Sequence, residues 1–415
     1  MDSSDQQVFV IVGASLAGAK AAETLRAEGF TGRVVLIGSE TERPYERPPL
    51  SKGYLQGAEP RDKIYVHDPD WYAEQQVELW LGRTVTGIDP AEHAVVVDGT
   101  ERLHYDKLLL ATGSRARRLD VPGAEAQGVL SLRSAEESDA LLAALKTGGE
   151  VLIVGAGWIG LEVAAAARSH GCNVTVVELD WAPLRRVLGD EIGKIIRDLH
   201  EANGVAFRFG IGVRSLGDLD GHVRSVLLDD GTEIAADVVV VGVGIQPAAE
   251  LALAAGLAVD NGIVVDASLR TADPDIYACG DVASSFRPSI DRHLRVEHWS
   301  NALDGGPAAA RSMLGQDVAY DPVPYFFTDQ FNLGMEYAGF ADRDDRLVFR
   351  GEPSIEEGFI AFWVSGTGRV TAGMNVNVWD VTDDIQALVR AGWAGNCVDL
   401  EKLADPAVPL RDLLP

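Results

Sequence analysis

Up to about residue 320, short apolar runs alternate with stretches whose hydrophobic positions recur at helical spacing. The run at 8–12 predicts a strand, 17–28 a helix and 33–37 a second strand. The same order returns at 151–154, 159–170 and 174–178. Two strand–helix–strand units in one chain predict an α/β fold with two Rossmann-like nucleotide-binding units. Further strand-like runs stand at 94–98, 107–111, 237–241, 263–266 and 276–278. Residues 320–324 (YDPVP) read as a linker, because two prolines so close together block regular structure. Beyond it the pattern changes to short alternating strands at 358–364 and 369–378, then one helix around 383–391. That last part is expected to be a separate α+β domain.

Composition narrows the class. A chain of 415 residues is expected to hold two or three domains, and 47% hydrophobic with 24% charged residues is ordinary for a globular protein. No apolar run reaches the roughly 18 residues that a membrane helix needs. The start, MDSSDQQ, lacks the basic and apolar stretches of a signal peptide, so a cytoplasmic location is expected. Cys172, Cys279 and Cys397 lie far apart and are odd in number, which predicts reduced thiols rather than a disulfide framework. No pair has metal-ligand spacing, so no metal site is expected. The net charge of −27 argues against nucleic acid or an anionic membrane as a partner.

The clearest chemistry lies in the second glycine-rich turn, Gly155-Ala156-Gly157-Trp158-Ile159-Gly160. The first glycine makes the tight turn, the second lets backbone approach a pyrophosphate, and the third lets helix and strand pack closely. The helix start, around Ile159, turns unpaired N–H groups toward the phosphates. Glu178 ends the next strand, where an acid accepts from a ribose 2′-OH and repels a 2′-phosphate; this favours NADH over NADPH, although Arg185 and Arg186 stand close by in sequence. The first turn reads Gly13-Ala14-Ser15-Leu16-Ala17-Gly18, with serine at the middle position. Serine is small enough for close approach, yet on this motif alone a ligand-free turn fits as well. Ser39 and Glu40 follow the second strand, and Glu40 is placed to hold a ribose.

Residues 108–113 read LLLATG, ending in Ala111, Thr112 and Gly113, and residues 271–283 read TADPDIYACGDVA, containing Gly280 and Asp281. With the two turns, these make the chain resemble the two-dinucleotide flavoproteins of the glutathione-reductase type. The segments 46–52 (ERPPLSK, with Arg47 and Lys52), 132–134 (LRS), 295–302 (RVEHWSNA) and 325–330 (YFFTDQ) resemble more narrowly the FAD-dependent NADH:ferredoxin reductases that serve cytochrome P450 monooxygenases and Rieske dioxygenases. The resemblance runs from about residue 8 to the C-terminus. It implies FAD and NADH as cofactors, Asp281 on the flavin ribitol, and Arg133, Val85 and Trp299, with Glu297 and His298 beside it, along the FAD site. It also implies Lys52 near flavin N5, paired with Glu162, as the catalytic pair. Phe327 stands where relatives often carry tryptophan, leaving flavin stacking and core packing both open.

The implied reaction is hydride transfer from NADH to flavin, then single electrons to a two-iron ferredoxin. Relatives that reduce disulfides carry cysteines on the first helix or near 46–52; this chain has none there, so no thiol relay is expected. An NADH oxidase, or a flavin signalling protein like apoptosis-inducing factor, also fits the motifs. The implied division is 1–114 with 243–324 for FAD, 115–242 for NADH and 325–415 for the C-terminal domain, in a monomer or homodimer. From Phe326 onward there are 7 Lys/Arg against 15 Asp/Glu, so an acidic ferredoxin needs a local basic patch; Arg311 is the first candidate. The basic run Arg115, Arg117 and Arg118 reads as a solvated loop or a nucleotide contact.

Overall fold

The computed structural model describes residues 6–415; the reading of the extreme N-terminus lies partly outside the described residues. The first sheet is five-stranded and parallel, in the order Ile276–Ala278, Lys107–Leu110, Val8–Val12, Arg33–Ile37, Val77–Trp80. Its central strands are rich in Val, Ile and Leu, as a sheet covered on both faces requires, and Val10, Ile11, Val34, Val35 and Leu36 are buried. Helix Leu16–Ala27 lies against helix Trp299–Met313 so closely that a Cβ on Gly306 would fall within 3 Å of the Ala17 carbonyl oxygen.

The second sheet repeats the plan: Val205–Phe209, Asn173–Glu178, Glu150–Val154, Val238–Val241, Val129–Leu130, all parallel. Ser114–Ala116 and Ile245–Pro247 pair antiparallel, tying together the two places where the chain passes between the sheets. In each sheet the chain leaves the strand before the glycine-rich turn to one side and later returns to pair on its other side. That is a topological switch point, where open α/β sheets form a ligand crevice at the carboxyl ends of their strands.

The third sheet is antiparallel, in the order Tyr325–Gln330, Leu333–Gly339, Val370–Val376, Phe359–Val364, Arg346–Arg350, with helix Thr382–Trp393 packed on it. Burial alternates along Tyr325–Gln330, so Phe326, Thr328 and Gln330 point inward, and Phe327 and Asp329 the other way. Residues 321–324 form no regular element, as the two prolines require. Helices Ala135–Lys146 and Arg185–Ala202 add to the elements expected from the pattern. Among the described residues no helix is long and apolar enough to cross a membrane.

Candidate functional site

Both switch points open into one cleft of about 1720 Å³. At the first, Gly13 has φ +120°, and a Cβ there would strike the Ala111 carbonyl oxygen. At the second, Gly155 has φ +103°, and a Cβ would strike Gly242. Each third glycine serves packing: a Cβ on Gly18 would collide with the Gly13 carbonyl, one on Gly160 with the Gly155 carbonyl, and neither residue reaches the cleft. Gly157 differs, because a Cβ there would meet nothing; the space beside it is open for a ligand. Helices Leu16–Ala27, Trp158–Ser169 and Trp299–Met313 all begin at the cleft without a side-chain cap, leaving first-turn N–H groups for an anion. By contrast, Ala135–Lys146 starts with a full Ser134/Glu137 capping box.

The other residues expected to hold FAD or NADH line the cleft, whereas Arg117, Arg118 and Arg311 do not. Glu178 accepts from the backbone N–H of Ala156 (2.7 Å) and of Asp180 (2.9 Å). An ionised carboxylate has about four acceptor positions, so room remains for a ribose hydroxyl. Arg185 and Arg186 both pair with Asp180 (3.3 and 3.2 Å), and Arg186 stays 78% exposed at the cleft. Glu40 is engaged by the Tyr45 hydroxyl and by Arg47 (3.4 Å), and Arg47 also donates to the Arg133 carbonyl. Thr112 donates to the Ala248 carbonyl (2.8 Å), fixing the 111–113 bend, and Ser39 is exposed at the rim.

Asp281 stands on the turn Gly280–Val282 and accepts from Arg133 Nη2 at 2.7 Å. Glu297 pairs with Arg295, which also reaches the Asp281 carbonyl. Val85 is buried at the start of its strand. His298 Nδ1 and Trp299 Nε1 are buried without a hydrogen-bond partner, and burial drives the His298 imidazole down to about 4, against a smaller opposing pull from Asp281. Orphaned buried polar atoms are costly, so those left waiting at a cleft fit a polar cofactor. Uncapped helix starts, glycine cradles and these orphans together fit FAD along the first sheet and a nicotinamide dinucleotide along the second.

Between the two halves Lys52 donates to Glu162, which also accepts from the Ser51 hydroxyl. The side chains are 14% and 5% exposed, too buried for either charge to stand without the other. Phe327 lines the cleft with its ring centroid 5.4 Å from Lys52 Nζ and edge-on to Trp299 at 6.1 Å, so it is a wall of the cleft and not core filling.

The structure adds detail to three readings. Cys279 lies just after strand Ile276–Ala278, and burial pushes its thiol up to about 12, which leaves it inert. Arg311 forms an ion pair with Glu28 at 2.9 Å and sits some 12 residues, or roughly 18 Å of helix, beyond Trp299. Its side chain stays 47% exposed at the far end of that helix. In the basic run, Arg115 pairs with Glu250, Arg117 donates to the Ile245 carbonyl and Arg118 faces Glu125 at 3.6 Å, so the run ties the inter-sheet ribbon and a loop.

Residues 8–306 match the family model described as pyridine nucleotide-disulphide oxidoreductase, and residues 325–414 match the reductase C-terminal model. The ferredoxin--NAD(+) reductase component of the anthranilate 1,2-dioxygenase system of Burkholderia cepacia is 41% identical, over 98% of this chain and 99% of that protein. The crystal structure of the ferredoxin reductase for the CYP199A2 system from Rhodopseudomonas palustris superposes with a TM-score of 0.93 at 33% identity, covering 99% of this chain and 100% of that one. The reductase in the covalent putidaredoxin reductase–putidaredoxin complex gives a TM-score of 0.92 at 34% identity, covering 98% of both chains.

Proposed function

The chain belongs to the pyridine nucleotide-disulphide oxidoreductase family, and on that premise we propose that it is an FAD-dependent NADH:ferredoxin reductase serving a cytochrome P450 or Rieske oxygenase. One observation carries the reading: two nucleotide-type turns open into a single cleft whose junction holds a buried lysine–glutamate pair. The one cysteine in its lining, Cys279, is single and buried with its thiol pushed up to about 12, so it offers no thiol relay.

Residues 1–114 with 243–324 form the FAD unit in this reading, 115–242 the NADH unit and 325–415 the C-terminal unit. Gly13, Ser15 and the start of helix Leu16–Ala27 hold the pyrophosphate of FAD. Glu40 takes its ribose, held in place by Tyr45 and Arg47. Asp281, oriented by Arg133, takes the ribitol. Gly157 and the start of helix Trp158–Ser169 hold the pyrophosphate of NADH, with Glu178 on its ribose. When bound, the flavin supplies the chemistry that accepts a hydride and releases electrons singly. Lys52 presents a fixed positive charge to the place where negative charge develops, and Glu162 holds that charge in position. Trp299 and Phe327 wall out water, which strengthens every charge inside. A cytoplasmic location belongs to the same reading and is supported by three scattered free cysteines.

The test is anaerobic addition of NADH to the purified protein. Denaturation should release FAD, and NADH should bleach the bound flavin in one turnover without ferredoxin. A protein that binds no FAD on reconstitution contradicts the reading.

A further inference from the structure

Behind the Lys52–Glu162 pair runs a line of buried polar side chains. Thr328 Oγ1 lies 2.6 Å from Glu162 Oε1, Gln330 Nε2 lies 3.1 Å from Thr328 Oγ1, and His200 Nε2 lies 2.8 Å from Gln330 Oε1. Glu162 is 4% exposed, Thr328 and Gln330 1%, and His200 0%. Polar groups buried this deeply cost stability unless each is hydrogen-bonded, and apolar residues would fill the same space without that demand. The line joins parts of the chain that no local pattern connects: helix Trp158–Ser169, strand Tyr325–Gln330 and helix Arg185–Ala202.

The direction of each bond follows from the first. Glu162 accepts from Lys52 and Ser51, and a carboxylate only accepts. Thr328 therefore spends its hydroxyl proton on Glu162 and has only its oxygen left to offer. Gln330 must turn its amide nitrogen to that oxygen, which leaves Oε1 facing His200. His200 must then carry its proton on Nε2. Its Nδ1 is buried with no partner, so a second proton there would find no acceptor. The ring is packed edge-on to Phe331 at 5.0 Å and Phe207 at 6.1 Å, and burial holds it down to about 4. Every donor in the line thus points toward Glu162, and nothing in it can reverse at neutral pH.

We propose that Thr328, Gln330 and His200 are positioning residues, a one-way line of hydrogen bonds that holds the Glu162 side chain in place and so holds the Lys52 ammonium at the cleft. The inference rests on the electron-transfer reading above and adds to it the residues that set the strength of the Lys52 charge. Losing the Thr328 hydroxyl leaves Glu162 with fewer donors and frees it to move, and Lys52 with it. A reduced, negatively charged cofactor would then be held less well, while NADH binding, which depends on the glycine-rich turn, would be untouched.

The experiment compares FAD-loaded Thr328→Val, Thr328→Ser and His200→Phe with the unsubstituted enzyme in two measurements: single-turnover reduction by NADH across NADH concentrations, and the midpoint potential of the bound flavin. Thr328→Val should lower the limiting rate at least about tenfold, the scale of one hydrogen bond to a charged group. It should make the potential more negative by about 30 mV for each tenfold loss of preference for the two-electron reduced form. The apparent NADH affinity should stay the same. Thr328→Ser should restore both quantities, and His200→Phe should shift both in the same direction by less. Because Thr328→Val leaves the Gln330 amide unpaired, Thr328→Val with Gln330→Met keeps the interior satisfied while still depriving Glu162. If that folded, FAD-loaded double variant has the rate and potential of the unsubstituted enzyme, the proposal is wrong. If the unsubstituted FAD-loaded enzyme is not reduced by NADH at all, the electron-transfer reading fails first and takes the proposal with it.

Discussion

Gly13 and Gly155 open the two turns in the same strained conformation, each backed against a carbonyl that leaves no room for a Cβ, and Gly18 and Gly160 close them by the same packing. The middle positions part company. Gly157 faces open space, whereas the first turn carries Ser15. The surroundings part company too. The first turn is closed off by the neighbouring turn Gly280–Val282, which packs against Ala17 and whose Asp281 is tied to Arg133. The second is bordered by Ile159, 40% exposed, and Leu179, which is more exposed still. Backbone geometry dictates the outer two glycines of such a turn, and the ligand dictates the middle one. An enclosed turn suits a group that stays; an open one suits a nucleotide that must arrive and leave in every cycle.

The sharpest way to break this comparison is to add one methyl group at unlike positions. Gly13→Ala should cost at least about 3 kcal/mol, because positive φ and a blocked Cβ act together, and should give little folded, FAD-loaded protein. Gly157→Ala meets no atom and has ordinary backbone angles, so thermal melting should move by less than about 1 kcal/mol while NADH affinity falls. Equal melting losses in the two variants would show that the middle position is structural after all.

Next in size is the junction. Lys52→Met should slow single-turnover flavin reduction by about a hundredfold or more, the usual scale for one preorganised charge in a water-poor site, with FAD content unchanged. An unaltered rate would make the buried pair a mere inter-unit clasp. Smaller again is the effect at the open turn. Glu178→Ser removes the carboxylate that faces the ribose, and the NADH-over-NADPH ratio of kcat/KM should drop about tenfold, with most of the change in KM. A native preference for NADPH would mean that Arg185 or Arg186 leaves Asp180 to read the phosphate.

How far the sequence anticipates all this depends on the range of the interaction. The two strand–helix–strand units and the outer glycines were legible because a parallel strand buried on both faces, and a turn with no space for a Cβ, each leave few residue choices. Helix Ala135–Lys146 announced itself in the Ser134-x-x-Glu137 box, a signal the hydrophobic pattern alone passes over. Helix Arg185–Ala202 was hidden by Gly189, which breaks its first turn at φ +86°. The line from Glu162 to His200 joins residues 166 and 130 positions apart, so no local pattern carries it; only the inward alternation of Phe326, Thr328 and Gln330 hinted that two polar side chains would be buried. The ion pair of Arg311 with Glu28, 283 residues away, is likewise out of reach of any local pattern.

The central claim is that electrons enter at the open turn and leave from the enclosed one as single electrons to an iron–sulfur protein. NADH-driven reduction of cytochrome c, measured with and without a panel of two-iron ferredoxins under low oxygen, tests it most directly. The account predicts slow reduction alone and a rise of at least about tenfold with at least one ferredoxin, as expected when docking supplies a short path. NADH consumption that is matched by oxygen uptake and indifferent to every ferredoxin would contradict it and mark the protein as an oxidase.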